Sequence, residues 1–397
     1  MATVVKAAPA SGAKPPMWLL VLVTLSGTMA MHMFMPALPN AARALHTESG
    51  AMQMAIGIYI VGLAVGQLAY GPLSDAFGRR PLLLVGLGLY TIGGLASAVA
   101  PTLPALLAGR LVQALGGSAG LTLGRAMVRD KTTPESAVRD LALLNVLTLV
   151  GPGVAPMVGG ALTAAAGWRA IFVVLAALGA VMFACTWRSL PETSSPSNRF
   201  GVRVLLDDYR ALLGSRRFVA LTFGGGCAST SVYAFLSAAP FILVDELHRP
   251  VHEVGVYAGV VMAGFAVGNV LTSRLAPRGT PLLLRIGGAL VLGSAVALFV
   301  AAWSGSLSVA SAIVPMVVFT SGCGILSPTA LAAAVSVDPR RVGSAAGLYG
   351  FTQMATGALC TALVATGADP ARSASIVLLG ATIASQIALF VARRTTR

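Results

Sequence analysis

The sequence predicts an all-α membrane protein: twelve transmembrane helices in two pseudo-symmetric six-helix bundles. Three observations predict it. Only 10% of the 397 residues are charged and 56% are hydrophobic, whereas a soluble domain carries roughly 25% charged residues. So few charges cannot cover a water-facing surface of this size. The apolar residues fall into twelve runs, each near the ~20 residues that cross about 30 Å of hydrocarbon as helix. The longest polar stretch, PETSSPSNRFGVRVLLDDYRALLGSRR at about 191–217, divides those runs six and six.

The elements follow in order. Residues 1–16 are polar and Pro/Ala-rich, with Lys6 and Lys14, and read as a disordered cytoplasmic tail. The run from Met17 is too long for the core of a signal peptide and is followed by many more, so it reads as an uncleaved first helix. The first bundle, 17–190, holds spans at 17–38, 51–72, 82–100, 103–127, 138–163 and 169–190. A cytoplasmic linker, 191–216, leads to the second bundle, 217–392. Its spans are 217–243, 254–274, 281–303, 307–335, 342–367 and 373–392, and residues 393–397 form a cytoplasmic tail. Short breaks, APTLP and WSGSLS, separate the third span from the fourth and the ninth from the tenth. RPLLLVGLGL opens the third span and TPLLLRIGGAL the ninth, with Pro81 and Pro281 in equivalent places. Two halves in parallel repeat, joined by a linker, is a plan of secondary transporters.

Charge sets the orientation. With the N-terminus in the cytoplasm, the outer loops hold Arg43, Arg169, Arg249 and Arg372, and Arg110 lies within a span. The rest of the 27 Lys and Arg residues fall in the cytoplasm or at that face, as basic residues do in membrane proteins. The net charge of +14 is therefore spread along one membrane face and gives no reason to expect nucleic acid as a partner. Cys185, Cys227, Cys323 and Cys360 sit inside apolar runs without metal or disulfide spacing and read as small packing residues. The three lysines, Lys6, Lys14 and Lys131, fit no phosphate-binding loop, and the histidines form no H-E-x-x-H. HRPVH (248–252) reads as a solvated loop. The expectation is a protein that is not an enzyme and holds no cofactor or metal.

Motifs narrow the function. GQLAYGPLSDAFGRRP (66–81) joins the second and third spans. Gly71 and Gly78 permit tight helix ends, Asp75 can accept from a helix start, and Arg79 and Arg80 offer planar donors. Together they suggest a breakable charge cluster that gates one conformation. The pattern G-x-L-S-D-x-x-G-R-R resembles the signature loop of the major facilitator superfamily. AGRLVQALGGSAG (108–120) resembles that superfamily's fourth-helix motif in drug exporters, with Arg110 and Gln113. GPGVAPMVGG (151–160) resembles its fifth-helix antiporter motif, in which Pro152 and Pro156 interrupt the backbone ladder and Gly151, Gly153, Gly159 and Gly160 permit close packing. MPALP, RAMVRD, GWRAIF, SRRFVA, AAPFIL and VGSAAGLYGFTQ are similar to the bicyclomycin-resistance (Bcr/CflA-type) branch of drug:proton antiporters. The resemblance covers the chain from residue 17. It implies the major facilitator fold in a bacterial-type inner membrane, and export of drug-like small molecules driven by the proton gradient. A monomer is expected.

One departure matters. Where that branch usually carries aspartate in its first helix, this chain has His32, and Phe34 stands for tyrosine in HMFMPALP. None of the thirteen Asp and Glu residues lies deep within an expected span. Ionisable residues inside a membrane are costly and mark pathways or partners, and His32 and Arg110 are the two that remain. Arginine keeps its charge and can attract anionic or dipolar groups. Histidine, with a reference value near 6.5, can titrate between pH 5 and 8. His32 is therefore a candidate for the missing acid's proton-coupling role, with substrate and proton competing near Arg110. The other readings are a neutral cavity-lining histidine and a lipid-facing one, and for Arg110 a cap on helix carbonyls. Phe34, Tyr59, Gln113, Asn145, Tyr233, Phe235, Asn269, Tyr349 and Gln353 are polar or aromatic groups in apolar helices and complete the candidate cavity wall. Two further functions stay open: a transporter of one metabolite with altered or no proton coupling, and an uncoupled facilitator or sensor.

Overall fold

A computed structural model of the protein describes residues 16–130, 151–193, 202–338 and 341–394. The chain there is helical almost throughout, as a span must be when no water can serve its backbone. The first half comprises α1 (Met17–Phe34), α2 (Leu38–Ala44), α3 (Ser49–Phe77), α4 (Arg79–Ala98), α5 (Leu103–Asp130), α6 (151–166) and α7 (Trp168–Ser189). After the linker helix α8 (Val202–Leu213) come α9 (Arg216–Thr230), α10 (Val232–Phe241), α11 (Val251–Leu275), α12 (Thr280–Trp303), α13 (Val309–Val335), α14 (Val342–Ala365) and α15 (Pro370–Arg394). Ten helical segments among the described residues are long and apolar enough to cross a membrane. The fourth expected run is α5, 28 residues long, whose apolarity is diluted by Arg110, Gln113 and Ser118. The fifth coincides with helix over its described part, 151–163.

Two spans are interrupted, each for a local reason. In the first, Pro36 and Pro39 remove backbone donors, and a 3-10 turn at Met35–Ala37 separates α1 from α2. In the seventh, α9 stops at Thr230 after Gly224, Gly225 and Gly226, and α10 restarts at Val232. The Ala228 carbonyl at this break accepts from the Cys323 thiol at 3.2 Å and the Ser231 hydroxyl at 3.3 Å. A π-turn at Ile242–Glu246 follows Pro240.

Packing groups the helices into two bundles. In the first, α5 lies against α1, α3 and α4, and α7 against α4 and α1. In the second, α13 lies against α9, α11 and α12, and α15 against α9 and α12. The repeat is visible in the backbone. Gly78 and Gly279 precede α4 and α12 at φ +95° and +93°, where a side chain would be strained. His46 and His248 take φ +50° and +51° at the ends of the first and seventh spans. Residues 77–81, 191–193, 202–215, 276–280, 336–338 and 341 thus share one face, the linker face; residues 44–50, 246–251 and 365–370 share the far face.

The halves meet along two glycine-lined seams and where α10 and α11 pack on the 3-10 turn after α1. One joins α3 to α14: a methyl group on Gly50 would strike the Ala365 carbonyl, one on Gly57 would reach the Thr361 methyl at 3.6 Å, and one on Gly350 the Gln67 carboxamide oxygen at 3.4 Å. The other joins α6 to α11 near the far face. An Arg43–Asp245 ion pair of 3.4 Å also crosses there, but its side chains are 61% and 49% exposed, so it adds little to the closely packed seams.

Candidate transport site

Arg110 is 0% exposed, in the middle of the first bundle. Its Nη1 donates to the Ala30 carbonyl of α1 at 3.1 Å and to Gln113 Oε1 at 2.9 Å, and its Nε to the Ala55 carbonyl of α3 at 3.5 Å. Both carbonyls belong to other helices, so the side chain ties α5 to its neighbours. The guanidinium carbon stands 3.9 Å from the centre of the Tyr59 ring, 5.3 Å from Phe34 and 5.6 Å from Phe172, a cage that supplies cation–π attraction. Tyr59 is held by a 2.8 Å bond from its hydroxyl to the Gly27 carbonyl. Trp168 packs edge-on against Phe172, with centroids 6.0 Å apart. Arg110 Nη2 and Gln113 Nε2 are buried without a hydrogen-bond partner among the described residues. No Asp or Glu is buried there either.

His32 faces the other way. It precedes Phe34 by two positions, about 200° round a helix, so when Phe34 turns to Arg110, His32 turns to the second half. Its ring lies 6.2 Å from that of Tyr233 on α10. It is 2% exposed, which leaves no lipid-facing role. Nδ1 lies 2.8 Å from the Thr28 carbonyl. A carbonyl can only accept, so Nδ1 carries hydrogen and the neutral ring keeps Nε2 as an acceptor. Arg110 and His32 therefore flank α1 from opposite sides.

The second half contributes a polar cluster. Gln353 Nε2 donates to Ser229 Oγ at 2.7 Å and Ser327 Oγ at 3.2 Å. The Ser229 hydroxyl spends its own hydrogen on the Gly225 carbonyl, so it can only accept from Gln353, and this fixes which end of the carboxamide faces it. Tyr349 donates to the Ser327 carbonyl at 3.2 Å. Phe235 lines a small apolar cavity with Met35, Pro36, Leu243 and Val254. Asn269 is half-buried where α11 packs on α13. Asn145 and the Asp75 side chain lie outside what the structure describes.

At the linker face, the Ser74 hydroxyl donates to the Gly71 carbonyl at 2.8 Å. Arg79 Nε donates to Asp130 at 3.1 Å and its Nη1 to Ser74. Arg80 Nη2 donates to the Trp187 carbonyl at 2.6 Å. Glu192 accepts from the backbone N–H groups of Arg79 and Arg80 at 3.0 and 3.1 Å. Gly78 turns the chain into that cap. These bonds knit α3, α4, α5 and α7 of one half together.

In the antiporter motif, Gly159 abuts the Met33 carbonyl of α1, and a methyl group on Gly160 would come to 3.2 Å from the Val251 carbonyl of α11. The carbonyls of Pro156 and Gly153 lie against Gly255 and Gly259 of α11. Gly151 sits beside Leu25 of α1, and Pro152 is half-buried on the same helix. The motif thus lets α6 slot between α1 and α11.

Four partners were not singled out from the sequence. Glu192 lies in a stretch that reads as linker; Ser74 falls within the signature-loop pattern and Trp168 and Phe172 within GWRAIF, but those motifs assign none of the three a contact with the site.

Two helical bundles joined by a linker, the first enclosing a buried arginine, with small residues where the halves meet, are the architecture of a multi-pass membrane transporter. The chain belongs to the Major Facilitator Superfamily, whose family model matches residues 20–361. It is 30% identical over 340 residues to multidrug resistance protein D of Escherichia coli (strain K12), covering 84% of each chain. It is 26% identical over 360 residues to a bicyclomycin resistance protein homolog of Haemophilus influenzae (strain ATCC 51907 / DSM 11121 / KW20 / Rd), covering 87% of each. Among solved structures it resembles a POT family transporter in complex with 5-aminolevulinic acid, at TM-score 0.78 and 12% identity, covering 96% of each chain. It also resembles a D-xylose-proton symporter, at TM-score 0.74 and 14% identity, covering 94% of this chain and 96% of that one.

Proposed function

We propose that this transporter exports small, drug-like organic molecules from the cytoplasm in exchange for protons, across a bacterial-type inner membrane and by alternating access. The observation that carries the reading is the pair His32 and Arg110, one group that titrates and one that does not, on opposite sides of α1. The likeness to multidrug and bicyclomycin resistance proteins supports the substrate class. The bias of basic residues toward the linker face supports placing that face and both termini in the cytoplasm.

In this mechanism, residues 17–190 rock against 217–392. Proton entry from the far face would reach His32 through its free Nε2 and turn an acceptor into a donor. That change alters what α1 can bond across the interface and couples protonation to the seam. The Arg79–Asp130–Glu192 cluster would keep the first half rigid as it rocks. The test is substrate-induced pH change in proteoliposomes, across a panel of phenicols, other antibiotics and small metabolites. His32→Ala is expected to abolish substrate-driven proton movement while binding persists. An unchanged exchange stoichiometry would remove His32 from the coupling.

A second reading has its own observation. With no acid buried in the described bundle, the chain would be a transporter of a single metabolite with altered coupling. A narrow resistance spectrum on overexpression favours it, and counterflow without a pH gradient marks an uncoupled facilitator.

A further inference from the structure

One linker-face corner of the second half gathers charge of a single sign. α12 and α15 pack against each other, and Gln386 Nε2 donates across the joint to the Gly288 carbonyl at 3.2 Å. Arg393 follows Gln386 by about two helical turns on the same face of α15, so it points at the first turns of α12. There it meets Arg285, which stands near enough to repel it. Arg394 adds a third charge, laid over the Phe390 ring at 4.4 Å. Neither helix contains Asp or Glu, and Arg285 makes no hydrogen bond or ion pair among the described residues. The preference of basic residues for one membrane face accounts for their number. It does not account for two of them turned toward each other across a helix pair. The matching corner of the first half, where α4 starts and α7 ends, is closed by a carboxylate of the chain, Glu192.

We propose that an anionic phospholipid supplies the negative charge at this corner, its phosphate taken up between Arg285 and Arg393. Arg285 lies about 7 Å along α12 from Thr280, within reach of headgroup depth for a side chain whose stem lies on apolar surface while its charge turns to the interface. The surface beside the pair is apolar and faces outward. Leu282 shares a face of α12 with Arg285, and Ile387 and Phe390 share a face of α15 with Arg394; all three apolar side chains are exposed. Acyl chains can lie on that strip, which a water-soluble phosphate ester has no means to use. A zwitterionic headgroup brings its own cation to the arginines and loses part of the attraction; a net-anionic one keeps it. Such a lipid ties α12 to α15 whatever solute the protein carries.

The experiment titrates full-length protein in neutral detergent with phosphatidylglycerol, phosphatidylcholine and glycerol 1-phosphate, and follows the tightest bound copy by native mass spectrometry. Phosphatidylglycerol is expected to bind about 10- to 30-fold more tightly than phosphatidylcholine, the attraction of two arginines at a membrane surface. Glycerol 1-phosphate is expected not to displace it. Arg285→Gln should weaken phosphatidylglycerol about 5-fold, the share of one arginine, and Arg285→Gln combined with Arg393→Gln should erase the preference. Arg188→Gln, which removes one exposed charge from the last turn of α7, should leave it unchanged. The ranking of the two lipids in the unmodified protein needs no variant to fold. Equal binding of both lipids overturns the proposal. Equal weakening by Arg188→Gln and Arg285→Gln overturns it too, because the whole basic face is then the attractant. Displacement by glycerol 1-phosphate does the same, because the corner then takes a soluble anion.

Discussion

Glu192 shows how much one carboxylate can organise. Four backbone N–H groups at a helix start have no partner within the helix, and Glu192 accepts from two of those at α4 while adding negative charge where the helix dipole is positive. Removing it with Glu192→Ala is expected to destabilise the first bundle by about 1 kcal/mol, the usual worth of such a cap. The check is the thermal unfolding midpoint of detergent-purified protein. Glu192→Gln should fall in between, because an amide oxygen still accepts but carries no charge; equal midpoints for all three proteins would show that the cap carries no stability. Residues differ in how visible they are before folding. His32 and Arg110 stand out because each is ionisable in an apolar run, and the structure buries both. Phe34 was legible from its motif; Phe172 also lies in a quoted motif, GWRAIF, but its place beside Arg110 shows only once α7 turns it inward. Glu192 was invisible for the opposite reason: a carboxylate in a polar stretch raises no question until a helix start is found beside it.

At the scale of elements, α6 is where sequence and packing agree most closely. Its glycines read as permission for close approach, and the structure shows what approaches: α1 on one side and α11 on the other. Gly159→Val would put two methyl groups into the Met33 carbonyl, which belongs to a helix backbone and cannot swing aside. Overpacking of this kind costs about 1–3 kcal/mol. The expected result is a lowered thermal midpoint and loss of transport by protein that still inserts. Gly160→Ala, whose new methyl group meets the α11 backbone at 3.2 Å, should be the milder change. If both variants transport like the parent, α6 is not a working part of the seam. The spans themselves were legible because lipid forces each into one apolar run of helical length. The break between α9 and α10 was not. A glycine run inside an apolar segment reads as continuous helix, and only the hydroxyl and thiol that take up the Ala228 carbonyl reveal the interruption. The kink between α1 and α2 was easier, because proline announces a lost donor.

The whole molecule turns on whether its two halves move as rigid bodies. The repeat argues that they can: α4 and α12 start from the same left-handed glycine, and each bundle packs around its own central helix, α5 or α13. The α3–α14 seam then becomes the place to test motion, since it runs from Gly50 and Ala365 near the far face to Gln67 and Gly350 toward the linker face. Rocking about a point between these ends requires that one end open as the other closes. A disulfide between Gly50→Cys and Ala365→Cys should therefore stop the cycle, and one between Gln67→Cys and Gly350→Cys should stop it at the opposite stage. Three native cysteines, Cys227, Cys323 and Cys360, are buried, which limits unwanted pairing. Flux in proteoliposomes is expected to fall to background in either oxidised variant and to return on reduction. The pair oxidised at both ends decides the matter. If solute still crosses with both ends pinned, the bundles do not rock about this seam, and the path must run within one half, where Arg110 already lies.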